Sequence, residues 1–335
     1  MSALNILVAM SPEMRSQFFR AQDWAALEAL GTVDVLDTPH DYRDEQARDQ
    51  LRVAEVIVTG WGTDIIDSEA LSRAPELKAV VHTGGSVRTI VTADVYPRGV
   101  RVSSQTAANS EPVAEYTVAM IMLAAKDVFR SERLYRQLRD FVDRGKHFPR
   151  AGLFGRRIGI VGLSRISLRV IDLLRPYRVE IDVYSRHLSP ERAAELGVRP
   201  VPLDELMRTC EVISLHSASL PSTRHMIDDQ LLALIQDGAT LINTARGALI
   251  DQDALIRELA TGRFDAILDV ADPDVTVPDS PLWDMPNVIL TPHFAGAVGH
   301  ELYRLGQSAV EDVEDFAAGR EMAGEIDAAQ YEKQA

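Results

Sequence analysis

Arg246, Asp269, Asp274 and His293 are the residues whose types and order could do chemistry together. Each stands just past a short apolar run: Arg246 in LINTARGALID, Asp269 and Asp274 in AILDVADPD, His293 in NVILTPHFAG. Such runs read as buried strands, and α/β folds bind ligands beyond the carboxyl ends of their strands. A guanidinium there can pair with a carboxylate and polarise a carbonyl. An imidazole can hold a transferable proton, and a neighbouring carboxylate favours its charged form and fixes its tautomer. Together they form a kit for carbonyl reduction. Taken singly, each has a plainer reading: Arg246 as a helix-capping cation, Asp274 as a turn residue beside Pro273, His293 as a packed histidine.

A second group surrounds IGIVGLSRIS, residues 158–167. It lies between an expected strand and an expected helix, the setting of a dinucleotide-binding turn. Gly162 takes the first glycine of G-x-G-x-x-G, while Ser164 and Ser167 occupy the other two positions. The Ser164 hydroxyl could itself bond a phosphate oxygen, and Arg165 and Ile166 would open the helix that faces it. A plain strand–turn–helix without ligand is the competing reading. An acid that binds ribose is expected at the end of the next strand. There the sequence has Ser185, Arg186 and His187, with Asp182 inside the strand. Ser, Arg and His would bond a 2′-phosphate that an acid would repel. NADP(H) is therefore the expected cofactor and NAD(H) the alternative, unless Arg186 is simply a solvated loop residue.

The elements that must position these residues form two series. Apolar runs at 5–9, 33–36, 55–59 and 78–83 alternate with helical stretches such as 67–72. A further set follows at 157–162, 181–185, 212–216, 239–244, 266–270 and 288–290. Alternation of this kind predicts two doubly wound α/β domains with parallel sheets. Residues 111–144 contain one early proline, Pro112, and no glycine, which predicts a long bridging helix starting near that proline. Residues 299–318 read as a closing helix that returns to the first domain, and 321–335 as a polar tail that frays. The net charge of −15 argues against nucleic acid as a partner. Cys210 is the only cysteine, so a reducing compartment, the cytoplasm, is expected and the thiol is read as inert. Residues 1–9 read as a first strand rather than a signal peptide, and no stretch suits a membrane span. His293 and His300 lack an acidic companion at metal spacing, so no metal is expected.

The chain resembles the D-isomer-specific 2-hydroxyacid dehydrogenase family over nearly its whole length. The resemblance rests on HTGGSV (82–87), NSEPVAEYT (109–117), GRRIGIVGLSRIS (155–167), SLHSASLPSTRHMI (214–227), INTARGALID (242–251), LDVADPD (268–274) and PLWDMPNVILTPHFAG (281–296), all in order. It implies a catalytic Arg246, a carboxylate at Asp274 and a general acid/base at His293. It implies that Asp269 touches the nicotinamide carboxamide and that His216, Thr223, Thr244 and Ala245 lie near the cofactor. A packed core histidine is the other reading of His216. The loop Gly84-Gly85-Ser86 would bind the substrate carboxylate through backbone N–H groups, with Asn109 in the same cleft and Trp61 facing it or buried. The family's usual pattern has Glu followed by Pro where this chain has Asp274 and Val275, another Gly at Ser86, and an acid at Arg88. Asp is shorter than Glu by about 1.5 Å, so the contact to His293 is expected to loosen unless the turn moves.

The reading is thus an α/β protein of two parallel-sheet domains, a Rossmann-type dinucleotide domain and a flavodoxin-like substrate domain. The substrate domain is expected from 1–104 and 294–335, the dinucleotide domain from 105–293, with ligands in the cleft between them. The expected reaction is hydride transfer between NAD(P)(H) and a small 2-keto or 2-hydroxy acid. The expected assembly is a homodimer through 111–144, without nucleic-acid or membrane partners. The rival is a dinucleotide-sensing regulatory protein with little or no turnover, motivated by the altered glycines and Asp274.

Overall fold

The computed structural model describes residues 3–37, 42 and 44–332. The chain divides into two compact units, Met1–Asn109 with Ala297–Ala335, and Ser110–Gly296.

The first unit holds a sheet of β1 (Leu4–Ala9), β2 (Gly31–Leu36), β3 (Val56–Thr59), β4 (Ala79–His82) and β5 (Arg101–Ser104). Every pairing is parallel, in the order β2-β1-β3-β4-β5. Side chains alternate between faces along a strand. Leu7, Ile57, Val80 and Val102 join one core. Ile6, Val8, Val58 and Val81 join the other, closed by Leu305, Ala309 and Val313 of the helix Leu302–Ala317. That helix comes close because of Gly306, where a Cβ would lie 1.9 Å from the Phe18 carbonyl oxygen.

Strand β5 was not expected, since its sequence RVSS carries one apolar residue. It forms because its exposed edge is covered. Ser104 N–H donates to Gly324 O at 2.9 Å, Ile326 N–H donates to Val102 O at 2.8 Å, and Glu325 pairs with Arg101. The tail expected to fray is therefore bound through residue 332: Met322 and Tyr331 are buried, and Tyr331 joins the core. Among its polar side chains, Glu325 serves an ion pair and Asp327 and Gln330 a helix cap. Residues 333–335, and Met1 and Ser2 of the expected first strand, lie outside the described residues.

The second unit holds β6 (Arg157–Val161), β7 (Glu180–Tyr184), β8 (Arg199–Pro200), β9 (Val212–Leu215), β10 (Thr240–Asn243), β11 (Asp265–Leu268) and β12 (Val288–Leu290). The order is β12-β11-β10-β9-β6-β7-β8, all parallel. Val161, Ile213, Leu241 and Leu268 face one core, Ile158, Ile160, Val212 and Ile242 the other. Strand order reverses between β6 and β9, and such a reversal opens a crevice at the carboxyl ends.

The single helix expected over 111–144 is three: Thr106–Ala125, Val128–Leu138 and Arg144–His147. The breaks are at Asp127 and Arg139, both left-handed with φ of 55° and 52°. Aspartate tolerates that conformation without the warning a glycine gives in sequence. Pro112 lies inside the first helix, which starts at Thr106, rather than opening it. The first helix is lined by buried residues, whereas Val128–Leu138 buries none. No described helix is long and apolar enough to cross a membrane.

Candidate functional site

Strands β10, β11 and β12 are neighbours, so the loops after them emerge within roughly 10 Å of one another. After β10, Asn243 ties the turn: its Nδ2 donates to Arg246 O at 2.9 Å and its Oδ1 accepts Ala245 N–H at 3.0 Å. Arg246 precedes a short 3-10 turn, Gly247–Leu249, and its Nη1 donates to Ala245 O at 2.7 Å. Gly247 is required by packing. A Cβ there would lie 1.9 Å from Ala271 O, so the backbone beyond β10 presses on the backbone beyond β11. Gln252 then fixes that second loop from both sides. Its Nε2 donates to Asp272 O at 3.0 Å and its Oε1 accepts Asp272 N–H at 2.9 Å. Arg224 adds an ion pair to Asp272 at 3.1 Å.

The loop so held presents Asp274. Its Oδ2 lies 3.0 Å from His293 Nδ1, with both side chains about half exposed. The loosened contact expected from the shorter carboxylate does not occur; the turn carries Asp274 to hydrogen-bond distance. His293 has φ of 53°, and its N–H donates to Asp269 O at 2.9 Å. Asp269 is 1 % exposed. Its Oδ1 accepts from Thr291 Oγ1 and Phe294 N–H, and its Oδ2 from Ala295 N–H. It thereby shapes the His293 loop from beneath. Tyr116 and Thr117, on the Thr106–Ala125 helix, reach Thr291 and Thr244 through their hydroxyls at 3.0 and 2.9 Å.

At the strand reversal lies a cavity of about 250 Å³. Gly162, Ser164, Ser185, Arg186, His187, His216 and Thr223 line it, as do Tyr184, Ser217 and Met226. Gly162 has φ of 99°, and a Cβ there would lie 2.6 Å from Ser217 N. Glycine is needed both for the turn and for this approach. The two serines at the other glycine positions act on each other. Ser164 Oγ accepts Ser167 N–H at 3.2 Å and Ser167 Oγ accepts Ser164 N–H at 2.7 Å. This capping box opens the helix Arg165–Leu174 and engages the Ser164 hydroxyl that the sequence offers to a phosphate. The N–H groups of Arg165 and Ile166 remain in the first turn, where an anion is favoured.

Among the described residues lining the cavity none is a carboxylate. Asp182, the nearby acid in the sequence, is 1 % exposed and is held in two bonds by Arg199 at 2.6 and 2.9 Å. Its charge is neutralised inside the sheet. His216 is buried, its Nε2 2.9 Å from Ser214 Oγ, and burial pushes its pKa down to about 4. It is both a packed histidine and a cavity wall. Thr223 Oγ1 is bound within its own turn, donating to Ala218 O and accepting Leu220 N–H. Cys210 is buried and burial pushes its thiol well above the usual range.

In the first unit, Gly84 follows β4 and packs beside two ring nitrogens. A Cβ there would meet His82 Nε2 at 2.5 Å and Trp61 Nε1 at 2.6 Å. Gly85 has open space where a side chain would be. Trp61 is 43 % exposed and meets Phe18 edge-on at 5.3 Å, so it is no buried structural residue. Ser86 Oγ accepts Arg88 N–H at 3.4 Å. Asn109 Oδ1 accepts Ala297 N–H at 2.8 Å, joining the two chain segments of this unit. His82 is buried, with Nδ1 3.0 Å from Thr59 Oγ1, and burial lowers its pKa to about 4.

Sequence reasoning named neither Gln252, Asn243 nor Thr291. The only signal for them is position: each stands within a few residues of a candidate, inside the same quoted segments or just past them.

Comparison with known proteins bears on the same residues. Residues 118–295 match the family described as D-isomer specific 2-hydroxyacid dehydrogenase, NAD binding domain. A glyoxylate reductase of Aeropyrum pernix is 32% identical over 303 residues, covering 88% of this chain and 90% of that protein. A D-3-phosphoglycerate dehydrogenase of Mycobacterium bovis is 31% identical over 255 residues, 76% of this chain but 48% of the relative. The chain thus spans about half the length of the phosphoglycerate dehydrogenase it matches. Among solved structures, the TT0316 protein from Thermus thermophilus superposes with a TM-score of 0.75 at 25% identity, over 96% of this chain and 100% of that one.

Proposed function

The chain belongs to the D-isomer specific 2-hydroxyacid dehydrogenase family, and from that premise we propose that it interconverts a small 2-keto acid and its 2-hydroxy acid with a nicotinamide cofactor. The observation that carries this reading is the direct contact, at 3.0 Å, between His293 Nδ1 and Asp274. It leaves Nε2 as the nitrogen that can exchange a proton with substrate. Arg246 pairs with the substrate carboxylate and polarises the keto oxygen. His293 delivers the proton to that oxygen in reduction and takes it back in oxidation, with Asp274 balancing the imidazolium charge.

The cavity at the strand reversal fits a dinucleotide. Gly162 leaves room for close backbone approach, and the helix after it offers N–H groups to a pyrophosphate. When bound there, the nicotinamide supplies or accepts the hydride. The roles we propose are cofactor binding for Ser110–Gly296 and substrate binding for the first unit, through Trp61 and the Gly84-Gly85-Ser86 loop. Asp269 would meet the carboxamide from the edge of its hydrogen-bonded loop. NADP(H) is favoured because Arg186 and His187 line a cavity wall without carboxylates.

A homodimer is proposed on the exposed apolar side chains of 128–148, among them Tyr135, Leu138 and Phe141. Charged surface elsewhere limits further association.

The test is a steady-state assay of NADPH oxidation with glyoxylate, hydroxypyruvate, pyruvate and bulkier 2-keto acids. Turnover with at least one, abolished in His293→Ala, is the expected result. Tight NADPH binding without turnover on any of them would replace this reading by the regulatory one.

A further inference from the structure

The second unit carries another cavity, of about 320 Å³, at the opposite edge of its sheet. Arg156 immediately precedes β6, Gly238 lies just before β10, and Arg263 lies just before β11. These are the amino ends of strands whose carboxyl ends carry Gly162, Arg246 and Asp269. Four or five residues of strand separate the two edges, roughly 13–17 Å.

Four arginines line the cavity, and they are not equivalent. Arg156 is buried and committed to Glu211 at 2.7 Å and to the Ala125 carbonyl at 2.8 Å. Arg263 is committed to Glu258 and to the Ile235 carbonyl. Arg130 and Arg150 are partly exposed and more loosely held. Arg130 Nη1 has only long contacts, 3.5 Å to Asp127 and 3.4 Å to Gly238 O. Arg150 donates to the neutral acceptors Gln236 Oε1 at 3.1 Å and Asp237 O at 2.8 Å, with Glu211 no nearer than 3.9 Å. Two acids also face the cavity: Asp127, 3.5 Å from Arg130, and Asp237, 3.4 Å from Arg263.

Gly238 brings these two arginines together. Its φ is 80°, and the point where a Cβ would stand lies 2.9 Å from Arg130 Nη1 and 3.2 Å from Arg150 Nη2. The two nitrogens are therefore within about 6.1 Å of each other. Two like charges at that range repel, and among the described residues no carboxylate bridges them in a close pair. A tetrahedral oxyanion set between two guanidiniums relieves the repulsion and receives charge-assisted bonds from both.

We infer that Arg130 and Arg150, meeting over Gly238, form a second anion site that takes the phosphoryl group of a small phosphorylated molecule. The site is separate from the cofactor cavity and independent of the reaction proposed above. Its place under strands β6, β10 and β11 suits an effector rather than a substrate.

The test is calorimetric titration of the full chain with inorganic phosphate and pyrophosphate at constant ionic strength. It is run with NADPH saturating and repeated in Arg186→Ala, so that the cofactor cavity cannot supply the signal. The expected result is binding that persists in both conditions and weakens by about tenfold or more in Arg130→Gln and Arg150→Gln, with partial retention in Arg150→Lys. Far-ultraviolet circular dichroism and the anion-free melting temperature verify that the variants fold. Binding that is unchanged in folded Arg130→Gln and Arg150→Gln, or that disappears with NADPH or in Arg186→Ala, overturns the inference. Absence of binding at millimolar anion overturns it as well.

Discussion

At the scale of single residues, Asp274 departs from the family's usual Glu and yet lies within hydrogen-bond distance of His293. The 3.0 Å distance to His293 means that the loop is built for a short carboxylate. Adding a methylene extends the side chain by about 1.5 Å. Asp274→Glu should therefore lower kcat/KM for 2-keto acid reduction, and equal or better activity would show that the loop accommodates both. Asp274→Asn removes the anion that balances imidazolium while keeping the shape. Its kcat should fall; an unchanged rate would remove Asp274 from the mechanism. His293→Ala should be worse, with a loss of roughly 10²-fold or more as for a missing general acid. Arg186 is the second position where one side chain decides an outcome. With Asp182 paired inside the sheet by Arg199, the cavity has Arg186 where an NAD-selecting acid would stand. Arg186→Ala should reduce kcat/KM with NADPH and leave NADH nearly unaffected. Equal use of the two cofactors by the unmodified protein would contradict this.

At the scale of elements, the two loops that carry Arg246 and Asp274 act as one part. Gly247 lets their backbones touch, and Gln252 secures the contact by bonding both backbone groups of Asp272. Gln252→Ala removes two hydrogen bonds to partly buried backbone groups, at a cost of about 0.5–1.5 kcal/mol each. Thermal unfolding should show the loss, and kcat should fall although Gln252 touches no reacting atom; Gln252→Glu, which keeps the acceptor for the Asp272 N–H, should recover part of it. A normal kcat in Gln252→Ala would mean that Asp274 is positioned without this brace. Most strands of both sheets were legible in the sequence because runs such as 157–162 and 239–244 are apolar on both faces, as in a sheet covered on both sides; the two-residue edge strand β8, Arg199–Pro200, was not, since it is short and exposed. Strand β5 was not legible, since two of its four residues are serine and its edge is covered by chain more than two hundred residues away. The break at Asp127 was hidden for a different reason: a left-handed aspartate looks in sequence like any helical surface residue. Candidate residues beyond strand ends could be noticed from residue type and position, but taken singly each had a plainer reading and it was the family resemblance that gave them roles. Gln252 and Asn243 could not, because their partners are main-chain groups, which have no sequence signature.

At the scale of the whole molecule, acid sensitivity is built into both units. His82 in the first and His216 in the second are buried and uncharged, each with its pKa depressed to about 4. In the unfolded chain both titrate near 6.5. The unfolded state thus binds protons first on acidification, so this part of the stability is complete above about pH 6.5 and is lost as pH falls towards 4. Each histidine should contribute a slope of about 1.4 kcal/mol per pH unit within that window. Urea unfolding at stepped pH measures it; His216→Gln should flatten the curve between about pH 6.5 and 4, and an unaltered slope would mean that this imidazole titrates normally in the folded chain. Light scattering at micromolar concentration should return a dimer mass, and a monomer would leave Tyr135, Leu138 and Phe141 without a self-partner. The first unit draws its covering helix, Leu302–Ala317, from the far end of the chain, while the second unit, Ser110–Gly296, is contiguous. During synthesis the ribosome therefore releases everything the second unit needs before the first unit's sheet can acquire that helix. At about 5–20 residues per second, the wait between the end of β5 and the end of that helix is on the order of ten to forty seconds. Through it the face of Ile6, Val8 and Val81 has only the N-terminal helices, through Phe18 and Leu27, as cover, and a nascent chain paused near residue 296 is where chaperone capture should peak.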